Sequence, residues 1–196
     1  CHISTKEEIE MVRAAKANNP EITAETSCNY LWFSNEDYTR LGSLVKCNPS
    51  VKTPADRTAL REALASGLID TIGSDHAPHL LSEKEAVYVK APSGLPSIQQ
   101  SLPVLLTIAH EEGIPLTRIA SVFSEKAADI YGLRRGKIRR GYEADLVIFD
   151  NSKEFIVRNE DQFSKCGWTP YDGERLRGVI ENVLIDGTPV PLNKNL

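Results

Sequence analysis

Along the first 130 residues, apolar positions recur at helical spacing between polar caps. Ile9, Val12, Ala15 and Ala17 form one stripe, which predicts a helix. Ser4 and Glu7 have the spacing of a capping box at its start, and Asn18-Asn19-Pro20 stops it. "EITAET" (21–26) alternates like a short strand, residues 34–41 read as a brief helix, and "LVKC" (44–47) reads as another extended piece. Thr53, Pro54 and Asp56 predict a second capped helix. Its buried stripe is Leu60, Ala63 and Leu64, and Gly67 closes it. The mostly apolar "LIDTIGS" (68–74) follows as a strand, then a helix over 97–112 with a kink at Pro103, then shorter helices over 117–131.

Strands between capped helices indicate βα units with a parallel sheet. The pattern changes after Tyr131-Gly132. "RRGKIRRGYEADLVIFD" (134–150) places turn glycines before an apolar strand, "EFIV" (154–157) reads as another strand, and "VIENVLIDGTPV" (179–190) reads as a hairpin turning at Asp186-Gly187. The expected division is residues 1–132, α/β in character, and residues 133–196, β-rich and antiparallel.

Composition narrows the function classes. With 41% hydrophobic residues in 196, the chain has ample material for a core. A formal charge of −4, from 23 basic and 27 acidic residues without a basic run, argues against nucleic acid as a partner. No apolar run reaches the roughly 18 residues that span a bilayer, and the start, Cys1-His2-Ile3, has no signal-peptide pattern. No membrane and a cytoplasmic location are therefore expected. Cys1, Cys28, Cys47 and Cys166 are scattered without CxxC spacing, which predicts buried free thiols in a reducing compartment. The chain lacks an initial Met and its first residues read as the end of a strand, so an upstream piece is expected to be missing.

The candidate chemistry lies at strand ends. Of the four histidines, His110 falls in the last turn of a helix and reads as a surface residue, whereas His2, His76 and His79 flank strand ends. The carboxyl ends of parallel barrel strands form an active-site face, so His2, Asp75, His76 and His79 could converge there. Imidazole and carboxylate suit zinc. An aspartate at a strand end could equally cap a loop or pair with an arginine, and two protein ligands are too few for a tight metal site.

Five segments carry a family resemblance: "HISTKEE" (2–8), "KCNPSVK" (46–52), "DTIGSDHAPH" (70–79), "GKIRRGYEADLVIFD" (136–150) and "SKCGWTPYDG" (164–173). In this order they resemble the C-terminal half of the dihydroorotases, in the branch of the amidohydrolase superfamily that also holds hydantoinases and allantoinases. The resemblance implies an α/β fold: the C-terminal portion of a (β/α)8 TIM-type barrel, its last three βα units, followed by a β-rich segment of a small β-sandwich. His2 matches a metal ligand on the sixth strand, and Asp75 matches the eighth-strand aspartate that binds metal and shuttles a proton. Asn48 and His79 match positions that hold the substrate, and Ala77 and Ala91 match backbone contacts to it. The loop histidine His76 is left a supporting role.

The reaction so implied is zinc-dependent, reversible hydrolysis of the cyclic amide of dihydroorotate to N-carbamoyl-aspartate, a step of pyrimidine synthesis. Two zinc ions per complete site and a carbamylated lysine are expected, the lysine, a His-x-His and a fifth-strand histidine all lying before Cys1. The missing N-terminal half is thus an expected partner, a homodimer is left open, and this stretch alone is expected to lack turnover. Two local departures stand out: Ser27, Cys28, Asn29 and Tyr30 where many relatives have Pro-His-His, and "NPSVK" where "NPPLR" is common. Lys52 keeps a charge there but not the bidentate fork of arginine. The alternatives are a hydantoinase- or allantoinase-type enzyme, and a non-catalytic homologue partnering aspartate carbamoyltransferase.

Overall fold

The computed structural model describes residues 1–192. Helix α1 (Lys6–Asn18) starts one residue later than the Ser4–Glu7 spacing predicts: Thr5 is the N-cap and Glu8 completes the box. The Glu8 carboxylate accepts from the Ser4 and Thr5 amides at 2.8 and 2.9 Å. Register decides this, since a start at Thr5 turns Ile9 into the core, where it is 2% exposed. Strand β1 (Glu25–Ser27) is shorter and later than the alternation over 21–26 predicts. It runs directly into α2 (Cys28–Trp32), whose first turn is capped by Ser27. A 3₁₀ turn (Asn35–Asp37) and α3 (Tyr38–Leu41) make up the brief helix expected over 34–41. The piece expected as extended over 44–47 instead begins in a second 3₁₀ turn, Gly42–Val45, because the Lys46 amide closes back onto Ser43.

Helix α4 (Pro54–Ser66) has the predicted start and stop, with Thr53 as N-cap and Gly67 left-handed at φ 90°. Its Asp56 also reaches another element. One carboxylate oxygen accepts from the Thr53 amide and hydroxyl at 3.0 and 2.6 Å, and the other from the Lys6 amide at 3.0 Å. Burial alone would raise the Asp56 pKa, but these donors outweigh it and hold the carboxyl below its ordinary value. A depressed folded-state pKa stabilises above the unfolded value and is lost as pH falls through the folded one. Asp56→Ala is therefore expected to cost about 2 kcal/mol at pH 7 and much less near pH 3, read by urea unfolding at both pH values.

Strand β2 (Thr71–Gly73) pairs in parallel with β1 in the register Glu25↔Thr71, Thr26↔Ile72 and Ser27↔Gly73. The chain start joins the other side, with the Ile3 amide donating to the Glu25 carbonyl at 2.9 Å and the Thr26 hydroxyl to the Ile3 carbonyl at 2.6 Å. Residues 2–3, β1 and β2 thus lie side by side and deliver their carboxyl ends to one edge. The short α5 (Leu81–Lys84) follows, then a 3₁₀ turn and α6 (Ser101–Glu112). Pro103 falls in the first turn of α6, where a missing N–H is tolerated, so it does not act as a mid-helix kink. Helices α7 (Leu116–Ala120) and α8 (Lys126–Ile130) are joined by a π-helical turn, Ser121–Glu125.

The last part is an antiparallel sheet of order β3-β4-β5, with β3 Leu146–Ile156, β4 Arg175–Ile185 and β5 Thr188–Val190. The two strands predicted before and after residue 151 are one strand interrupted by a register shift between Asp150 and Glu154. The Asp186-Gly187 turn closes the hairpin as predicted, both residues having positive φ. Helix α6 packs on β4. The Thr107 hydroxyl accepts from the Arg177 amide at 2.8 Å, and at Gly178 a Cβ would lie 2.3 Å from Leu106 Cδ1. The core runs through Leu60, Leu64, Leu95, Leu105, Trp168 and Tyr171, joining the helices to the segments that flank β4. No helix among the described residues is long and apolar enough to cross a membrane. Cys28 and Cys47 are buried free thiols as expected, but Cys1 is exposed and Cys166 half-buried, since both lie at margins of the core.

Candidate active site

The strand edge brings His2 and Asp75 together. His2 Nε2 lies 4.0 Å from Asp75 Oδ1, with the two side chains 34% and 20% exposed. Both backbones are left-handed, at φ 58° and 47°, an uncommon conformation for a residue with a Cβ and one that clusters at functional sites. Burial raises the Asp75 pKa, and the facing His2 partly offsets it. The second nitrogen of His2 faces Glu25: His2 Nδ1 lies 4.0 Å from Glu25 Oε1 and, among the described residues, has no hydrogen-bond partner although buried. Gly73 makes room for Glu25, because a Cβ there would sit 2.9 Å from Glu25 Oε1.

The other predicted residues lie on loops stitched to this edge. Asn48 is exposed on the loop after Lys46. The Lys46 carbonyl accepts from the Gly94 amide at 2.9 Å, and the Ala77 amide donates to the Leu95 carbonyl at 3.2 Å. His79 Nε2 contacts the Ser93 carbonyl at 3.1 Å, and the His79 carbonyl accepts from the Trp168 indole at 2.8 Å. Ala91 is buried, its amide bonded to the Val87 carbonyl and its carbonyl accepting from Lys46 Nζ at 2.7 Å. His76 turns away to brace the start of α6. Its Nδ1 accepts from the Ser97 and Ile98 amides at 3.1 and 3.3 Å, and burial lowers its pKa, which favours the neutral ring that can accept. His110 is exposed in the last turn of α6, as its position in the sequence implies.

The unusual Ser27–Tyr30 segment is interior. Cys28 and Asn29 are fully buried, and the Tyr171 hydroxyl donates to Asn29 Oδ1 at 2.9 Å. Tyr30, 2% exposed, donates its hydroxyl to the Pro49 carbonyl at 2.8 Å and so braces the Asn48 loop from beneath. Sequence reasoning assigned no role to Glu25, Lys84 or Trp168, and marked Tyr30 only as part of the departing Ser27–Tyr30 segment.

Facing imidazole and carboxylate groups with few competing contacts suit two positions on a zinc-type ion. Among the described residues no three His, Cys, Asp or Glu gather into a cluster able to hold a metal. The pair therefore fits part of such a centre.

The profile of the amidohydrolase family matches residues 1–190. The chain belongs to the amidohydrolase family. A dihydroorotase of Halobacterium salinarum is 38% identical over 191 residues, covering 96% of this chain and 44% of the relative. A dihydroorotase of Staphylococcus epidermidis is 37% identical, covering 97% and 45%. Among solved structures, an L-hydantoinase (dihydropyrimidinase) from Arthrobacter aurescens superposes with a TM-score of 0.92 at 31% identity, covering 96% of this chain and 43% of that one. This amidohydrolase chain thus spans less than half the length of the relatives it matches. The expected fold class stands, and the parallel edge of residues 2–3, β1 and β2 is part of a TIM-type barrel wall.

Proposed function

We propose that the chain forms one side of a dihydroorotase active site, in a protein whose remaining barrel strands supply the other side. The observation that carries this reading is the His2–Asp75 pair, 4.0 Å apart at one edge and contributed from either side of β1, beside loops bearing Asn48, His79, Ala77 and Ala91. The reaction is the reversible hydrolysis of the cyclic amide of (S)-dihydroorotate to N-carbamoyl-L-aspartate in pyrimidine synthesis. Support comes from relatives named dihydroorotase at 38% and 37% identity along nearly the whole chain.

His2 Nε2 and Asp75 Oδ1 would hold zinc, with further ligands from the other part of the barrel. When bound, zinc supplies Lewis-acid activation of water and of the amide carbonyl. Asp75 accepts the proton of the attacking water and returns it to the departing amide nitrogen. Asn48 and His79 hold the substrate, His79 by its carboxylate, and their anchored loops hold the ring in place for attack. His2→Ala is expected to leave the purified protein with less zinc by elemental analysis. Unchanged zinc content would remove His2 from the ligand set.

The likeness to L-hydantoinase at a TM-score of 0.92 favours a second reading, a hydantoinase-type enzyme. The two differ in the substrate's carboxylate. A site built to bond that group rejects a ring lacking it by about 10⁴-fold or more. The protein with both barrel parts, assayed on dihydroorotate, hydantoin and allantoin, is expected to turn over the first alone. Preference for hydantoin would overturn the proposal.

A further inference from the structure

Lys84 ends α5 as a fully buried ammonium group, 0% exposed. Its three N–H donors meet three backbone carbonyls, those of Lys46 at 3.0 Å, Pro92 at 2.9 Å and Gly94 at 2.7 Å. The Lys84 carbonyl in turn accepts from the Ser43 hydroxyl. Burying a cation without a carboxylate is costly, and here burial pulls the pKa down to about 8, with Cys47 opposing and Lys46 adding to the shift. An apolar side chain would fill the space without that cost. What the ammonium contributes is convergence, because its acceptors come from two loops separated by nearly fifty residues of sequence.

Each acceptor adjoins a residue of the candidate substrate side. Lys46 stands two residues before Asn48, and Pro92 follows Ala91. Gly94 lies against Ala77 and His79, where a Cβ would be 2.6 Å from the Ala77 carbonyl oxygen and 3.3 Å from His79 Cδ2. The three carbonyls must keep a fixed spacing to share one ammonium, so the loops that carry them keep theirs. We propose that Lys84 is a positioning residue that locks the Asn48 loop to the Ala91–Gly94 loop and thereby shapes the pocket for the substrate's carboxylate. The carboxylate part of this inference rests on the dihydroorotase reading, whereas the lock itself does not.

Lys84→Met keeps length and removes every donor. In the protein with both barrel parts it is expected to raise KM for dihydroorotate by about tenfold or more, the size of one lost buried hydrogen bond. Zinc content and kcat should stay near wild type, because His2 and Asp75 are held by the strands. Lys84→Gln, which keeps two donors, should fall between. In Lys84→Ala, added ethylammonium should move KM back toward wild type. A merely structural lysine would lower the active fraction, and so kcat, at unchanged KM, and that result would overturn the inference. Hydrogen exchange reads the lock without activity. The Gly94 and Ala77 amides should exchange about tenfold faster in Lys84→Met, with the α4 amides unchanged, and equal protection would overturn the lock. Should Lys84→Met not fold, Lys84→Gln is measured by the same exchange. If wild type leaves dihydroorotate untouched, the functional reading fails, and the exchange result still decides on Lys84.

Discussion

On the proposed reading, Asp75→Asn in the protein with the complete barrel is expected to lower kcat for ring opening of dihydroorotate by about 10³-fold, within the range general acid–base groups supply. The substitution removes the proposed proton acceptor and keeps the size and shape of the side chain. Asp75 has a left-handed backbone at φ 47°, and asparagine tolerates that conformation better than alanine does. Asp75→Asn therefore spares the backbone, whereas Asp75→Ala would add backbone strain of about 1 kcal/mol. The same carboxylate faces His2 Nε2 at 4.0 Å, so the amide also offers zinc a poorer ligand. The two roles separate experimentally: zinc content is measured on the sample used for kinetics, and rates are compared at saturating zinc. KM is expected to change little, since Asn48 and His79 lie on other loops. Turnover within tenfold of wild type at full zinc occupancy would take Asp75 out of the proton path.

Features fixed by neighbouring residues were legible in the sequence. Thr53, Pro54, Asp56 and Gly67 delimit α4 as predicted, and Asp186-Gly187 turns the hairpin, because caps and turns are decided within a few residues. Register and burial were not, because they depend on distant partners. Ser4 and Thr5 offer nearly equal caps, and the choice falls to Thr5 because Ile9 must face inward. Lys84 sits in "LSEKE", which reads as a solvated turn, and only the convergence of carbonyls from residues 46, 92 and 94 makes it interior. The site divides in the same way. Asp75, His2 and His79 stood out as candidates by their strand-end positions and Asn48 by the resemblance, since chemistry-bearing residues sit in short recognisable strings. Glu25 needed the β1–β2 register, which sets it on the same face as Gly73, two places along. The bracing role of His76 needed the position of α6, which begins at Ser101, twenty-two residues beyond the end of the string that drew attention to it as a ligand.

Gly94→Ala is expected to perturb both the stability and the affinity of this face. Gly94 has φ +123°, a region that side chains with a Cβ rarely adopt, and the added methyl would meet the Ala77 carbonyl oxygen at 2.6 Å and Ala77 Cβ at 2.7 Å. Neither neighbour is the end of a flexible chain, so the backbone must move. Strained φ and overpacking together cost about 3 kcal/mol, which in a domain of this size lowers Tm by roughly 6–12 °C. The displacement is also aimed. The Gly94 amide bonds the Lys46 carbonyl at 2.9 Å, and its own carbonyl takes the Lys84 ammonium at 2.7 Å. Relief of the clash must therefore shift Ala77 and His79 against the Asn48 loop, and on the proposed reading KM for dihydroorotate is expected to rise by about tenfold or more. Gly113→Ala supplies the control. That glycine is left-handed at φ +68° with nothing within 4 Å of its would-be Cβ, so it pays the backbone cost alone, about 1 kcal/mol, and leaves KM unchanged. Thermal melts and steady-state kinetics on both variants decide the matter. Equal effects from Gly94→Ala and Gly113→Ala would show that the contact with Ala77 and His79 carries no part of substrate binding.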